Sequence, residues 1–162
     1  MKKSALFVLM LSLMLGLVAS KGYGHSNSAP TFECIVCHEG DMASDMVKVE
    51  GLPKAYVPGK TYPLTIVVTS DLKNDGDYAG GFALESSSGN LIVSDKKHTQ
   101  IVDGMLTHTQ EGASARKWTF KWKAPKGKGE MKMNVMAVAA NGDFSSMGDT
   151  VGTNAYTVPS AK

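Results

Sequence analysis

Alternation of apolar and polar residues is the dominant pattern along this chain. It is clearest over residues 115–123, where Trp118, Phe120 and Trp122 alternate with lysine and threonine. Side chains in a β-strand point alternately to the two faces of the sheet, so this stretch predicts a core strand with one face in water. Similar patterns predict further strands at 46–50, 62–70, 78–85, 90–94, 130–140 and 153–158.

Clusters of glycine, serine, asparagine and proline separate these segments and predict turns between them. The segments 78–85 and 90–94, joined by Ser-Ser-Ser-Gly, predict a hairpin, and the Gly80–Gly81 pair predicts a bulge or a close backbone approach. Residues 141–149 predict a long polar loop. About seven short strands with regular turn signals indicate an all-β sandwich.

The beginning of the chain has the composition of an export signal. Lys2 and Lys3 precede an apolar run over residues 5–18, which ends in small residues. This pattern predicts a secretory signal peptide at 1–20, followed by a flexible leader at 21–31 and one domain at 32–162. We therefore expect an exported protein, periplasmic or at the cell surface or outside the cell, with no membrane span after cleavage.

The charge balance bears on one class of partner, nucleic acids. Without Lys2 and Lys3 the 17 basic residues become 15, which equals the 15 acidic residues. Such a balance gives no support for a nucleic-acid partner. The alternating tryptophans and lysines of 115–123 would need exposed rings to stack bases, and burial is expected instead.

The strongest chemical signal is Cys-Ile-Val-Cys-His at 34–38, the attachment pattern of c-type haem. Two thiols at this spacing can each bond one vinyl group of the same porphyrin, and the next residue then lies under the iron. The pattern predicts one covalent haem c on Cys34 and Cys37, with His38 as an axial iron ligand.

Three other readings of the two cysteines stay open. A thioredoxin-type redox disulfide expects a βαβ context, which the strand pattern does not provide. A zinc site needs two more ligands, and the remaining histidines, at positions 25, 98 and 108, have spacings that match no common zinc module. A structural disulfide is compatible with export, but so short a loop removes little chain entropy.

The second axial position decides between an electron carrier and a haem that binds gas or substrate. His108, in Leu-Thr-His-Thr at 106–109, is the first candidate, and Met42, Met46 and Met105 are alternatives. An alternative with equal support is that His108 forms hydrogen bonds within the fold and binds no metal.

Several segments resemble the bacterial relatives of the Reeler domain that are called choice-of-anchor V proteins. The segments that carry the resemblance lie at 28–38, 51–62, 106–109, 118–125 and 139–149. The resemblance implies an immunoglobulin-like sandwich, secretion and, where C-x-x-C-H is present, one covalent haem. The chain differs in lacking a C-terminal anchor segment and the additional cysteines of animal Reeler domains, so neither surface attachment nor their disulfide scheme is implied.

Taken together, the sequence predicts an exported monohaem c-type cytochrome that transfers electrons to a redox partner protein or a cytochrome assembly. No Ser-His-Asp set or carboxylate pair indicates an enzyme. Two alternatives remain. One is a non-redox secreted binding or adhesion module whose cysteines form a disulfide or a metal site, and the other is a haem sensor or enzyme with an open sixth position.

Overall fold

The computed structural model describes residues 34, 38–43 and 45–162, with 39–41 described by their backbone alone. The predicted signal peptide at 1–20, the predicted leader at 21–31 and Cys37 lie outside these residues. Across the described ranges, no helix has the length and apolar character needed to span a bilayer.

Ten strands and one short 3-10 helix, Glu111–Ser114, make up the described fold. The strands are β1 Glu39–Met42, β2 Val47–Glu50, β3 Thr61–Val68, β4 Gly80–Ser86, β5 Asn90–Val93, β6 Thr99–Val102, β7 Met105–His108, β8 Lys117–Lys123, β9 Glu130–Ala139 and β10 Met147–Pro159. They form a six-stranded sheet in the order β1-β10-β9-β4-β7-β6 and a four-stranded sheet in the order β2-β3-β8-β5. The predicted all-β sandwich is confirmed.

The main core lies between the two sheets, where the alternating patterns placed it. Trp118, Phe120 and Trp122 of β8 are each at most 1% exposed, while the residues between them are exposed. Trp118 packs against Phe82 of the opposite sheet, with 4.8 Å between ring centroids. Met131 of β9 also faces this core and is fully buried. Full burial of one such side chain contributes about 1.5–3 kcal/mol.

The predicted hairpin of 78–85 with 90–94 is wrong, because the two strands belong to different sheets. β4 is hydrogen-bonded on both sides, to β7 and β9, whereas β5 pairs with β8. Residues 80–84 are all buried, as expected for a central strand with no free edge. The chain crosses between the sheets through 86–89, where Gly89 adopts φ +79° and Ser86 Oγ donates to the Ser88 carbonyl over 2.8 Å.

The structure also moves the start of the last strand. β10 begins at Met147, six residues before the predicted strand, so the predicted polar loop at 141–149 is shorter and Asp149 lies in the sheet. Polar residues and Gly148, at φ +78°, hide this strand from a search for apolar alternation. β1, which has no prediction, runs parallel to β10 and pairs Met42 with Val151. The segment that follows C-x-x-C-H is therefore fixed at the edge of the six-stranded sheet.

Candidate functional site

A small apolar cluster lies on the outer face of the six-stranded sheet. It consists of Met136 and Val138 of β9 and Val151 of β10, which are at most 9% exposed, and Cys34 packs against it. Residues 135, 137 and 139 point into the main core, so these side chains must point to the opposite face. The backbone N–H of Cys34 donates to Met136 Sδ over 3.4 Å. We refer to Met136, Val138 and Val151 as the outer-face cluster.

A hydrogen bond joins Cys34 and His38, the two described residues of the C-x-x-C-H segment. The backbone N–H of His38 donates to the carbonyl of Cys34 over 2.9 Å, which is the i to i+4 spacing of an α-helical bond. Residues with this spacing lie on the same side of a helical turn. Cys34, which packs against the outer-face cluster, and His38 are therefore close together, while Cys37 lies outside the described residues.

A buried carboxylate orients His38. His38 Nδ1 lies 2.6 Å from Asp149 Oδ2, and the side chains are 27% and 2% exposed respectively. Asp149 Oδ1 accepts the backbone N–H of Asn141 over 3.1 Å. A carboxylate at Nδ1 holds the ring proton there and leaves the lone pair of Nε2 for a metal, which is the usual arrangement of a metal-binding histidine.

Arg116 fixes the loops behind Asp149. Its guanidinium donates four hydrogen bonds of 2.9–3.2 Å to backbone carbonyls from three separate segments of the chain. These carbonyls belong to Ser70, Leu72, Ala79 and Ala140. Because Ala140 immediately precedes Asn141, the clamp also fixes the backbone N–H that binds Asp149.

His108 ends β7 with its ring inserted beside β4. Its Nδ1 accepts the Phe82 N–H over 3.1 Å and also lies 3.3 Å from the Phe82 carbonyl. That carbonyl accepts the Thr107 hydroxyl over 2.7 Å. The side chains of Thr107 and His108 therefore take over the hydrogen bonds that a continued strand pair would supply.

The ring of His108 occupies the space beside Gly81. A Cβ at Gly81 would lie 2.7 Å from His108 Nε2, which real Cβ contacts do not allow. Gly81 pairs with Val138, and directly paired residues point to the same face of a sheet, so this space is on the outer face. The close backbone approach predicted for the Gly80–Gly81 pair is found at Gly80, where a Cβ would collide with the Val138 carbonyl, whereas Gly81 is approached by the side chain of His108.

His108 has a perturbed pKa. Burial lowers the pKa of His108, the hydrogen bond with the Phe82 backbone acts in the opposite direction, and the charge of His38 lowers it further. The favoured neutral imidazole is the form that binds metals.

The sheet register relates the two histidines. Val151, Val138 and Gly81 are paired in one row across β10, β9 and β4. His38 is bound to Asp149, which precedes Val151 by two residues on the same face of β10, and His108 lies over Gly81. Adjacent strands are about 4.8 Å apart, so the two histidines belong to positions roughly 10 Å apart on either side of β9.

The three candidate methionines lie in different surroundings. Met46 is 4% exposed in the main core, on the inner side of the six-stranded sheet. Met105 is 9% exposed at the opposite end of β7 from His108. Met42 is 58% exposed on β1. Within the described part of the chain, no three His, Cys, Asp or Glu side chains are grouped so that they could hold a metal ion.

Sequence reasoning missed Asp149 and Met136. Asp149 belongs to a segment that carries the Reeler resemblance, but the predicted loop gave it no partner. The outward positions in the first half of β9 are polar, but from Met136 onwards both faces of the strand are apolar. This change was the available signal that the outer face is covered there.

Comparisons with known proteins identify the fold. No family model and no curated protein matches the sequence. Among solved structures, the Reelin-N domain of F-spondin is similar, with a TM-score of 0.57, 17% identity, and coverage of 80% of this chain and 96% of that chain. The human F-spondin reeler domain has a TM-score of 0.54, 18% identity, and coverage of 78% and 98% respectively. The chain therefore has a Reeler-like β-sandwich fold, with Cys34 packed on the outer face of its larger sheet and His38 bound to Asp149 of the same sheet.

Proposed function

We propose that this protein is an exported monohaem c-type cytochrome that acts in electron transfer. The observation that carries the proposal is the 2.6 Å contact between His38 Nδ1 and the buried carboxylate of Asp149. C-x-x-C-H requires its histidine to bind iron, and this contact prepares Nε2 of the same histidine to do so. A structural disulfide between Cys34 and Cys37 would give no reason for it.

The surroundings of the motif support the same assignment. A porphyrin is a large apolar plane, and the outer-face cluster offers it apolar side chains beside Cys34. The hydrogen bond from the His38 N–H to the Cys34 carbonyl keeps these two residues together, as attachment and ligation of the same group require. The residues present therefore fit a covalently attached haem.

When bound, the haem supplies one-electron exchange between ferrous and ferric iron. The residues of this chain perform the remaining tasks. Cys34 and Cys37 would hold the macrocycle through thioether bonds, and His38 would ligate the iron through Nε2. Asp149 holds the proton at His38 Nδ1 and would make the ring a stronger electron donor, which would favour ferric iron and lower the reduction potential.

A redox partner protein or a cytochrome assembly is the proposed electron acceptor or donor. Two exposed apolar side chains, close in sequence to Asp149, support a protein partner, since exposed apolar surface is a feature of interaction sites. Met147 is 65% exposed and pairs with the residue after His38, and Phe144 of the adjacent loop is 79% exposed. Export is supported by the predicted signal peptide.

The test is spectroelectrochemistry of the protein produced together with a c-type haem maturation apparatus. We expect a Soret band and a reversible one-electron couple. His38→Ala should abolish or severely alter both, because the axial ligand is lost. The matched control is His98→Ala. His98 also contacts a carboxylate, that of Asp95 at 2.7 Å, but it immediately precedes β6, at the opposite edge of the six-stranded sheet from β1. Wild-type protein without a Soret band, or equal spectra for the two variants, would contradict the proposal.

A further inference from the structure

We infer that His108 is the second axial ligand, bound through Nε2, so that the iron is held between His38 and His108. This inference rests on the proposed haem attachment and specifies its coordination. It makes the site a six-coordinate, low-spin electron-transfer centre that is closed to external ligands. The third function considered from the sequence, a sensor or enzyme with an open sixth position, is then disfavoured.

The position of His108 on the sheet is the first argument. Its ring occupies the outer-face space above Gly81, in the same row as Val138 and Val151. His38 is held on the outer face by Asp149 of β10. The two imidazoles thus approach one apolar strip from its two sides, as the ligands of a single iron must.

Gly81 supplies the second argument. Any side chain there would occupy the space taken by the ring, with its Cβ 2.7 Å from Nε2 and 3.0 Å from Nδ1. Its φ is outside the left-handed region, so the backbone alone does not require glycine at this position. The glycine is therefore explained by room for His108 on the face that carries the C-x-x-C-H segment.

The hydrogen bonds of His108 provide the third argument. A neutral histidine that binds a metal through Nε2 must carry its proton on Nδ1. Nδ1 lies 3.1 Å from the Phe82 nitrogen and 3.3 Å from the Phe82 oxygen, so one backbone residue can serve either tautomer. Without metal, Nδ1 accepts from the N–H, and on ligation it can donate to the carbonyl. Ligation therefore exchanges the bond from the Phe82 N–H for a bond to the Phe82 carbonyl, and the Phe82 N–H gives up its His108 acceptor.

The methionines are placed less favourably. Met46 is enclosed by the main core on the wrong side of the six-stranded sheet. Met105 occupies the first position of β7, three residues before His108. Met42 follows His38 by four residues and lies on β1, the edge strand next to β10. It is therefore on the same side of the site as His38, whereas a sixth ligand must approach the iron from the side opposite His38.

The experiment compares the spin state of the oxidised holoprotein and carbon monoxide binding to the reduced holoprotein. Wild type is expected to be low-spin and slow to bind carbon monoxide. His108→Ala is expected to become high-spin, to bind carbon monoxide faster, and to regain the low-spin spectrum when imidazole is added. His108→Met should stay six-coordinate with a higher potential, since methionine ligation raises the potential of c-type haem.

A second pair of variants tests the position rather than the ligand. Gly81→Ala should displace the ring and give partial high-spin character with His108 still present. Gly127→Ala is the control, because a Cβ there has open space and no positive φ is involved. If His108→Ala does not fold, this pair and the wild-type carbon monoxide measurement still decide the question.

The outcomes separate this inference from the function on which it rests. Protein without covalent haem overturns the proposed function itself. Covalent haem with a high-spin wild type, or a low-spin His108→Ala variant without added imidazole, overturns the ligand assignment and leaves the haem attachment standing.

Discussion

Replacing Asp149 by asparagine isolates the charge that orients His38. Both carboxylate oxygens are acceptors, Oδ2 for His38 and Oδ1 for the N–H of Asn141. An amide of the same shape has only one acceptor oxygen, so its NH₂ group must face one of the two donors. The substitution at Asp149, whose side chain is 2% exposed, therefore weakens the bond to His38 or leaves the Asn141 N–H without its acceptor.

The expected effect is a rise in reduction potential. Hydrogen bonds to charged groups contribute about 1.5–3 kcal/mol and neutral ones about 0.5–1.5 kcal/mol, so the change removes roughly 1.4 kcal/mol, or a factor of ten. The ferric state depends more on electron donation from the ligand, so the loss falls mainly on that state. For a one-electron couple a factor of ten corresponds to about 59 mV, and we expect an upward shift of up to about 60 mV.

Potentiometric titration of the visible bands measures this shift. The control is Asp143→Asn, which removes the same charge from an exposed residue of the neighbouring loop, whose Oδ1 accepts only a local backbone N–H at 2.7 Å. Circular dichroism should show that both variants keep the sandwich. If Asp149→Asn shifts the potential no more than Asp143→Asn does, Asp149 does not tune the ligand and our account of the contact is refuted.

Three further predictions concern stability and are measured by denaturant unfolding. Trp118→Ala removes a side chain that is 1% exposed and should cost about 3–5 kcal/mol, whereas Lys117→Ala on the wet face should cost little; equal losses would contradict the assigned faces. Arg116→Lys cannot reproduce four hydrogen bonds to three segments and should cost about 1.5–3 kcal/mol, and an unchanged midpoint would show that the clamp is dispensable. In haem-free protein, burial lowers the pKa of His108 below its ordinary value of 6.5, so the unfolded state binds more protons than the folded state. The free energy of unfolding should therefore fall as the pH drops from about 6.5 through the pKa of the folded state. His108→Gln should remove this part of the dependence of stability on pH.

The fold class followed from local patterns, because alternation reports which face of a strand is buried. β8 and the inward face of β9 were predictable on this basis. Strand partners were not. β4 and β5 are neighbours in sequence with a turn between them, which is the local pattern of a hairpin. The hairpin does not form because β7 and β9 occupy both edges of β4, and β5 pairs with β8 instead. The sequence of one strand does not show which distant strand it pairs with.

The site was predictable in its covalent chemistry and not in its supporting contacts. The residues of C-x-x-C-H could be identified from the sequence because haem attachment itself requires this spacing. Asp149 lies 111 residues from His38 along the chain, and its contact arises because β1 docks against β10 in parallel. His108 was a candidate from its sequence segment, but its relation to Gly81 depends on the register of β7, β4 and β9.

The mass of the denatured full-length product tests the central claim most directly. After production with a haem maturation apparatus and complete unfolding, the protein should carry the added mass of one haem, and Cys34→Ser/Cys37→Ser should carry none. A wild-type mass without haem would contradict the account, because Asp149 would then orient a histidine that has no iron to bind.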